Sequence, residues 1–126
     1  MPADVKIVMI GVMNHGGTVY ARTGMYPGAR LVGVSPAPGE EHLIGHMKEG
    51  GWLPSDARVW DYADYTTMLD ELRPDVAGVC GPIGYHFNAI RACLERGIHV
   101  LAEKPLCSEP EEFDEIVALH ARSGAK

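Results

Sequence analysis

Short runs of apolar and β-branched residues alternate with segments of helical periodicity along this chain of 126 residues. The first run is Val5–Ile10, and similar runs occupy residues 30–34, 58–60, 75–80 and 98–102. The segments between them repeat apolar residues at the spacing of an amphipathic helix and end at Gly or Pro. Helices are therefore expected at residues 16–26, from Pro38-Gly39 through Lys48, from an Asp64 N-cap to Pro74, and up to Gly97. A last helix is expected from a Ser108-Glu111 capping box to Gly124, burying Phe113, Ile116, Val117 and His120.

Strands that alternate with helices predict a parallel sheet with helices packed on both faces. The expected architecture is an α/β, Rossmann-type, doubly wound sheet with five strands in the order 3-2-1-4-5. We expect its sixth strand, and any second domain, to lie outside this sequence. In such folds ligands bind beyond the carboxyl ends of the strands, where the direction of winding reverses.

The composition argues against several classes of partner. The formal net charge is -6, from 11 Lys+Arg against 17 Asp+Glu, so no basic surface for nucleic acid is expected. No apolar run reaches the length of a membrane span, and the first residues lack the features of a secretory signal. Cys80, Cys93 and Cys107 have no C-x-x-C spacing, which favours free thiols in a cytoplasmic protein.

The residues after the first strand resemble a phosphate-binding turn. Gly11 and Gly16 match the first and third glycines of G-x-G-x-x-G, while Met13 stands where the second glycine is expected. Together with Asn14 and His15 they form a candidate site for a dinucleotide, because the following helix offers unpaired N–H groups to a diphosphate. The competing interpretation is a glycine-cornered turn that binds nothing.

The end of the second strand lacks the acidic residue that binds an adenosine ribose. Ser35-Pro36 stands there instead, so NAD and NADP both remain possible cofactors. Ser35 is the candidate contact, since a serine can hydrogen-bond a phosphate. The alternative is that nothing at this position contacts a ribose.

Two further turns complete the candidate site. Gly81-Pro82 and His86 follow the fourth strand, and Glu103-Lys104-Pro105 follows the fifth. The stretch of residues 76–105, with its H-V-L-x-E-K-P ending, resembles the Gfo/Idh/MocA oxidoreductases, the relatives of glucose–fructose oxidoreductase and inositol dehydrogenase. The resemblance extends over essentially the whole chain and corresponds to the nucleotide-binding domain of that family.

The resemblance implies a role for each of these turns. The glycine turn would hold the diphosphate, and Gly81, Pro82 and His86 would lie beside the nicotinamide. Lys104 would be the catalytic residue, reaching the oxygen on the reacting carbon or the nicotinamide ribose, with Glu103 fixing its loop. Residues 1–126 would then be the NAD(P)-binding domain of a dehydrogenase for a sugar, polyol or related CH–OH/C=O substrate, with the substrate domain beyond Lys126.

Three further expectations concern other parts of the chain. The spacing of His42 and His46 could chelate a metal, but no third ligand is evident, so no metal site is expected. The fifth strand would form an exposed sheet edge, which predicts a homo-oligomer or a poorly soluble protein. Without a substrate domain, the 126 residues alone are expected to have no dehydrogenase activity. The departures at Met13 and Ser35 leave open a non-catalytic binding or assembly module.

Overall fold

A five-stranded parallel sheet forms the centre of the protein, as seen in a computed structural model that describes residues 4–126. The strands are β1 (Val5–Ile10), β2 (Ala29–Ser35), β3 (Arg58–Val59), β4 (Val76–Val79) and β5 (His99–Ala102). Their order across the sheet is β3-β2-β1-β4-β5, with every neighbouring pair parallel. The predicted strand order and fold class are confirmed.

Helices cover both faces of the sheet. They are α1 (Gly16–Thr23), α2 (His42–Glu49), α3 (Tyr65–Leu72), α4 (His86–Glu95) and α5 (Pro110–Ser123), with single 3-10 turns at Tyr62–Asp64 and Ile83–Tyr85. Side chains of β1 alternate between two apolar cores, because successive residues of a strand point to opposite faces. Val8 and Ile10 pack with α3, α4 and α5, whereas Met9 packs with α1 and α2.

The end of α1 and the capping of α3 differ from what the sequence predicted. Helix α1 ends at Thr23, and the chain continues in turns in which Met25 and Tyr26 N–H groups donate to the carbonyls of Arg22 and Thr23. Asp64 does precede α3, but its side chain makes no capping hydrogen bond.

The cap of α5 lies one residue later than the Ser108-Glu111 pattern predicted. Glu109 is the N-cap, and its side chain and that of Glu112 form the reciprocal capping box. Pro110 explains the shift, since proline favours the first helical position, where its fixed φ fits and its missing N–H is not needed. The N–H groups of Ser108 and Glu109 both donate to Glu112 Oε1, at 3.1 Å.

The buried face of α5 is narrower than expected. Ile116 and Leu119 are buried, but Phe113 and Val117 are about half exposed, at 49% and 51%, and His120 is exposed. The helix packs mainly on α4. Only one stripe of the helix therefore meets the core.

The outer edge of β5 is partly covered by the residues after α5. Val100 N–H donates to the Lys126 carbonyl at 2.8 Å, and Lys126 N–H donates to His99 Nδ1 at 3.0 Å. The edge that the sequence predicted to be exposed is therefore covered at one end of the strand, by residues that follow the helix. Leu101 remains 58% exposed. Within the described residues, no helix has the length and hydropathy to cross a membrane.

Candidate functional site

The loops that follow β1 and β4 touch each other at the carboxyl ends of the strands. Gly11 has a φ of +76°, and a Cβ atom added there would lie 2.4 Å from the Cys80 carbonyl oxygen. Gly81 has a φ of +132°, and its Cβ would lie 3.3 Å from the Gly11 Cα. A side chain at Gly11 would thus force the two loops apart. The sequence motif identified Gly11 for its tight turn, and the structure adds this close approach.

Met13 fits the loop because the left-handed residue is its neighbour. Asn14 has a φ of +58°, whereas Met13 is not in the positive-φ region. Asparagine adopts this region more readily than most residues, and Asn14 Nδ2 also donates to the Gly81 carbonyl at 3.4 Å. The departure from the glycine pattern at position 13 therefore imposes no backbone strain there.

Gly16 brings α1 close to the sheet. A Cβ at this position would lie 3.4 Å from both Cys80 Cβ and Met9 Cε, at the limit of ordinary packing. The Gly16 N–H donates to the Met13 carbonyl at 3.1 Å, which closes the turn. Within the part of the chain described, the backbone N–H groups of Asn14 and Gly17 have no hydrogen-bond partner. Both belong to the positive end of the α1 dipole.

Glu103 ties the loop after β5 to the loop after β1. Its Oε2 accepts from the backbone N–H of His15 at 2.9 Å and lies 2.7 Å from His15 Nδ1, while Oε1 accepts from Lys104 N–H at 3.1 Å. The side chain of Glu103 is 5% exposed and that of His15 is 73% exposed. The hydrogen bond from the His15 N–H, followed by the His15 ring and the Lys104 N–H, lowers the pKa of Glu103 despite its burial.

His86 joins the loops after β4 and β5. Its ring is buried, with Nδ1 2.8 Å from the Pro105 carbonyl oxygen and Nε2 2.8 Å from the Gly81 carbonyl oxygen. Both nitrogens therefore face protein backbone. The contact between His86 and a nicotinamide stays a prediction, and this burial weighs against it. Pro82, beside it, is half-buried.

Lys104 is exposed in the loop after the edge strand β5. It lines a cleft of about 350 Å³ together with Asn14, His15 and Glu103. Among residues 4–126, no carboxylate lies within salt-bridge distance of its ammonium group. A free cation beside unpaired N–H groups can bind an anionic or developing alkoxide oxygen.

Ser35 does not face the cleft. It is fully buried, and its hydroxyl donates to the Asp61 carbonyl at 3.3 Å. Its assignment to a ribose therefore stays a prediction that the structure does not favour.

Sequence reasoning missed Glu40, which is fully buried beside the loop after β1. It lies five residues beyond β2, just past the position searched for an acidic residue. No local pattern distinguishes it, because the next residue, Glu41, is also a carboxylate and is exposed.

The remaining titratable candidates lie elsewhere. His42 and His46 are exposed on α2, and the His46 ring packs edge-on against Trp52 at 5.4 Å. No group of three or more potential metal ligands occurs among the described residues. Burial, and then the nearby Glu103 and Glu40, raises the pKa of Cys80 to about 11.

Comparison with known proteins identifies the family. The model of the Gfo/Idh/MocA oxidoreductases, described as an NAD-binding Rossmann fold, matches residues 5–126. The chain belongs to this family. The sequence-based recognition, made on the H-V-L-x-E-K-P ending, is confirmed.

Relatives in the Gfo/Idh/MocA family are longer than this chain. An uncharacterized oxidoreductase of Bacillus subtilis is 40% identical over 128 aligned positions, which cover 82% of this chain and 32% of the relative. Inositol 2-dehydrogenase 1 of Saccharopolyspora erythraea is 30% identical over 128 positions, covering 100% and 35%. The matches span only 16–35% of the length of the curated relatives.

A solved structure of the family has the same fold. Scyllo-inositol dehydrogenase from Lactobacillus casei, determined with NAD(H) and scyllo-inositol, superposes with a TM-score of 0.76 at 24% identity. The match covers 95% of this chain and 34% of that one.

Proposed function

We propose that this chain is the cofactor-binding domain of an NAD(P)-dependent dehydrogenase, with the diphosphate held at the start of α1 and Lys104 beside the reacting carbon. The observation that carries the proposal is the Asn14 N–H, which has no partner among residues 4–126 and belongs to a residue that lines the Lys104 cleft. The Gly17 N–H, in the first turn of α1, is a second such donor. Backbone donors at a helix N-terminus favour an anion, and a cation nearby adds to the attraction.

The residues present fit a dinucleotide. Gly11 and Gly81 hold two loops in contact, which leaves an open rim above them. Asn14 adopts the left-handed conformation, and its N–H has no partner among residues 4–126. The three N–H groups of Val12, Met13 and His15 are occupied by carboxylates, so the diphosphate contacts would come from Asn14, Gly17 and the ring of His15.

The chain's own residues would act by position and charge. A bound nicotinamide would supply hydride transfer; the protein supplies orientation and electrostatics. Lys104 would donate a hydrogen bond to the substrate oxygen and stabilise its negative charge as the C–H bond breaks. Glu103 would fix Lys104 through the backbone N–H of that residue.

The substrate class follows from relatives and is part of the proposal. Relatives are named as dehydrogenases of inositol, a D-glucoside and D-xylose. A sugar, polyol or similar CH–OH/C=O compound is therefore proposed as the substrate. Residues 1–126 would form the nucleotide-binding domain, and a second domain would complete the substrate pocket.

We also propose that the protein is cytoplasmic and that it forms a homo-oligomer. Three free thiols are compatible with a reducing cytoplasm. The edge of β5, with Leu101 exposed, supports a homo-oligomer. Light scattering at about 1 to 100 µM protein that gives the mass of a monomer would contradict the proposed homo-oligomer.

The alternative is a non-catalytic binding or assembly module. The sequence departures at Met13 and Ser35 were the grounds for this alternative. Ser35 still favours it, because this buried serine leaves the ribose without an evident partner. Calorimetric titration with NAD⁺, NADH, NADP⁺ and NADPH separates the two. We expect saturable binding of at least one of them by protein that melts cooperatively, and no binding at about millimolar concentration would favour the module.

The role of Lys104 has its own test. In the enzyme that contains this domain, Lys104→Met is expected to lower kcat by about 10²- to 10⁴-fold with little change in the Kd of NADH. Lys48→Met serves as the control, because it removes a different exposed lysine, which lies on α2. A kcat unchanged by Lys104→Met would contradict the proposed role.

A further inference from the structure

Glu40 is a fully buried carboxylate whose partners are backbone N–H groups. Oε1 accepts from Val12 at 2.9 Å and from Ala37 at 2.8 Å, and Oε2 accepts from Met13 at 2.9 Å. Its exposed fraction is 0%. Within residues 4–126 it makes no salt bridge. A buried acid is costly unless hydrogen-bonded, and here three donors converge on it.

These contacts put Glu40 at the junction of three loops. It belongs to the loop after β2, binds two residues of the loop after β1, and lies against the loop after β4. A Cβ atom added to Gly81 would lie 3.6 Å from Glu40 Oε2. The buried carboxylate is therefore packed between these loops and does not line the cleft of Asn14 and Lys104.

This arrangement decides which N–H groups the turn offers outward. Val12 and Met13 point inward to Glu40, and His15 points to Glu103. The Asn14 and Gly17 N–H groups remain. Because each peptide unit is planar, Glu40 fixes the Val12–Met13 peptide through the Met13 N–H. The next peptide, which carries the Asn14 N–H, is held at its other end, where the Met13 carbonyl accepts from the Gly16 N–H at 3.1 Å.

We propose that Glu40 is a positioning residue for the diphosphate: it turns the Val12 and Met13 peptides inward and thereby aims the Asn14 and Gly17 donors at the ligand. The inference rests on the proposed function. Glu40 itself does not touch the cofactor, and its negative charge, taken alone, would repel a diphosphate. If Glu40 acts by positioning, removing its charge should weaken diphosphate binding. If it acts only through its negative charge, removing that charge should strengthen diphosphate binding.

The test compares Glu40→Gln with Glu41→Gln. The glutamine keeps one acceptor oxygen for Val12 and Ala37 but presents an NH₂ group to the Met13 N–H, so one bond is lost. Glu41 is the exposed neighbour, and its carboxylate accepts from the Gly39 N–H at 3.0 Å. Its variant removes the same charge. Titrations followed by NMR give the Kd of ADP-ribose, which contains the diphosphate, and of adenosine, which does not.

We expect Glu40→Gln to weaken ADP-ribose about tenfold, equivalent to roughly 1.4 kcal/mol, and to change adenosine by less than about twofold. Glu41→Gln should leave both Kd values unchanged. A merely structural role would lower the melting temperature without changing the ratio of the two Kd values. In the same spectra the Met13 amide proton should move upfield and exchange faster in Glu40→Gln alone.

The outcomes separate the two proposals. Equal ADP-ribose affinity in Glu40→Gln and the unaltered protein, or tighter binding in the variant, would overturn the positioning role and leave the proposed function intact. Failure of the unaltered, folded protein to bind NAD(H), NADP(H) or ADP-ribose would overturn the proposed function, and the positioning role with it.

Discussion

Replacing Gly11 with alanine tests the contact between the loops after β1 and β4. Two costs add at this position. The φ of +76° is left-handed, which costs a non-glycine residue about 1–2 kcal/mol. The new Cβ would also lie 2.4 Å from the Cys80 carbonyl oxygen and 2.7 Å from its carbon, and forcing such a group into packed structure costs about 1–3 kcal/mol.

A matched substitution isolates the second cost. Gly28 has a φ of +88°, and a Cβ there would meet nothing within 4 Å. Gly28→Ala should therefore lose only the conformational part, about 1–2 kcal/mol, whereas Gly11→Ala should lose about 2–5 kcal/mol. Urea unfolding followed by circular dichroism gives both values, if the slope with denaturant is unchanged.

The comparison can fail in a definite way. Equal losses in the two variants would mean that the loops after β1 and β4 move apart freely, and that the close approach at Gly11 carries no energy. Gly11→Ala should also weaken dinucleotide binding, because the displaced loop carries the Asn14 N–H.

Three other predictions follow from the site. Glu103 has a lowered pKa, so it stabilises the fold above its ordinary value of 4.5 and loses this contribution as the pH falls through the lower folded value; Glu103→Gln should flatten the acid side of the stability profile, and an unchanged profile would refute the assignment. Burial raises the pKa of Cys80 to about 11 and that of Cys93 to about 12, so one thiol, the partly exposed Cys107, should react with iodoacetamide in native protein at pH 8, as mass spectrometry would report. Ser35→Asp would bury a charge without a partner, so we expect loss of stability rather than a several-fold shift toward NAD; a stable variant with a changed NAD/NADP ratio would restore Ser35 to the ribose site.

The order and direction of the strands could be predicted because they follow from alternation alone. Val5–Ile10 was predicted with its bounds, since a buried parallel strand is a continuous apolar run between turn residues. The ends of helices were less predictable. Pro110 outweighs the Ser-x-x-Glu pattern at α5, and the exposure of Phe113 depends on where the sheet ends, which a local pattern does not contain.

The site was predictable where the backbone has a signature and not where it depends on distant partners. Gly11 and Gly16 could be identified because each position requires glycine: Gly11 for a tight turn and Gly16 for close packing of α1 on the sheet. Met13 looked like a defect because a motif cannot tell that Asn14 carries the left-handed conformation. Glu40 could not be identified from the sequence, because the N–H groups that it binds belong to residues 27 and 28 positions earlier in the chain.

The hydrogen bonds of the glycine turn also have a consequence for how the chain assembles. The turn binds Glu40, 28 residues away, and Glu103, 88 residues away. Contacts of such long separation form late, because the intervening chain must first lose its freedom. The segment containing β1 and α1 can thus acquire its local shape early in synthesis, but it cannot acquire its full set of partners until the residues after β5 have been made. Cofactor binding would then require the five strands β1–β5 to have formed. A ligand that binds the completed turn would shift the equilibrium toward the folded state.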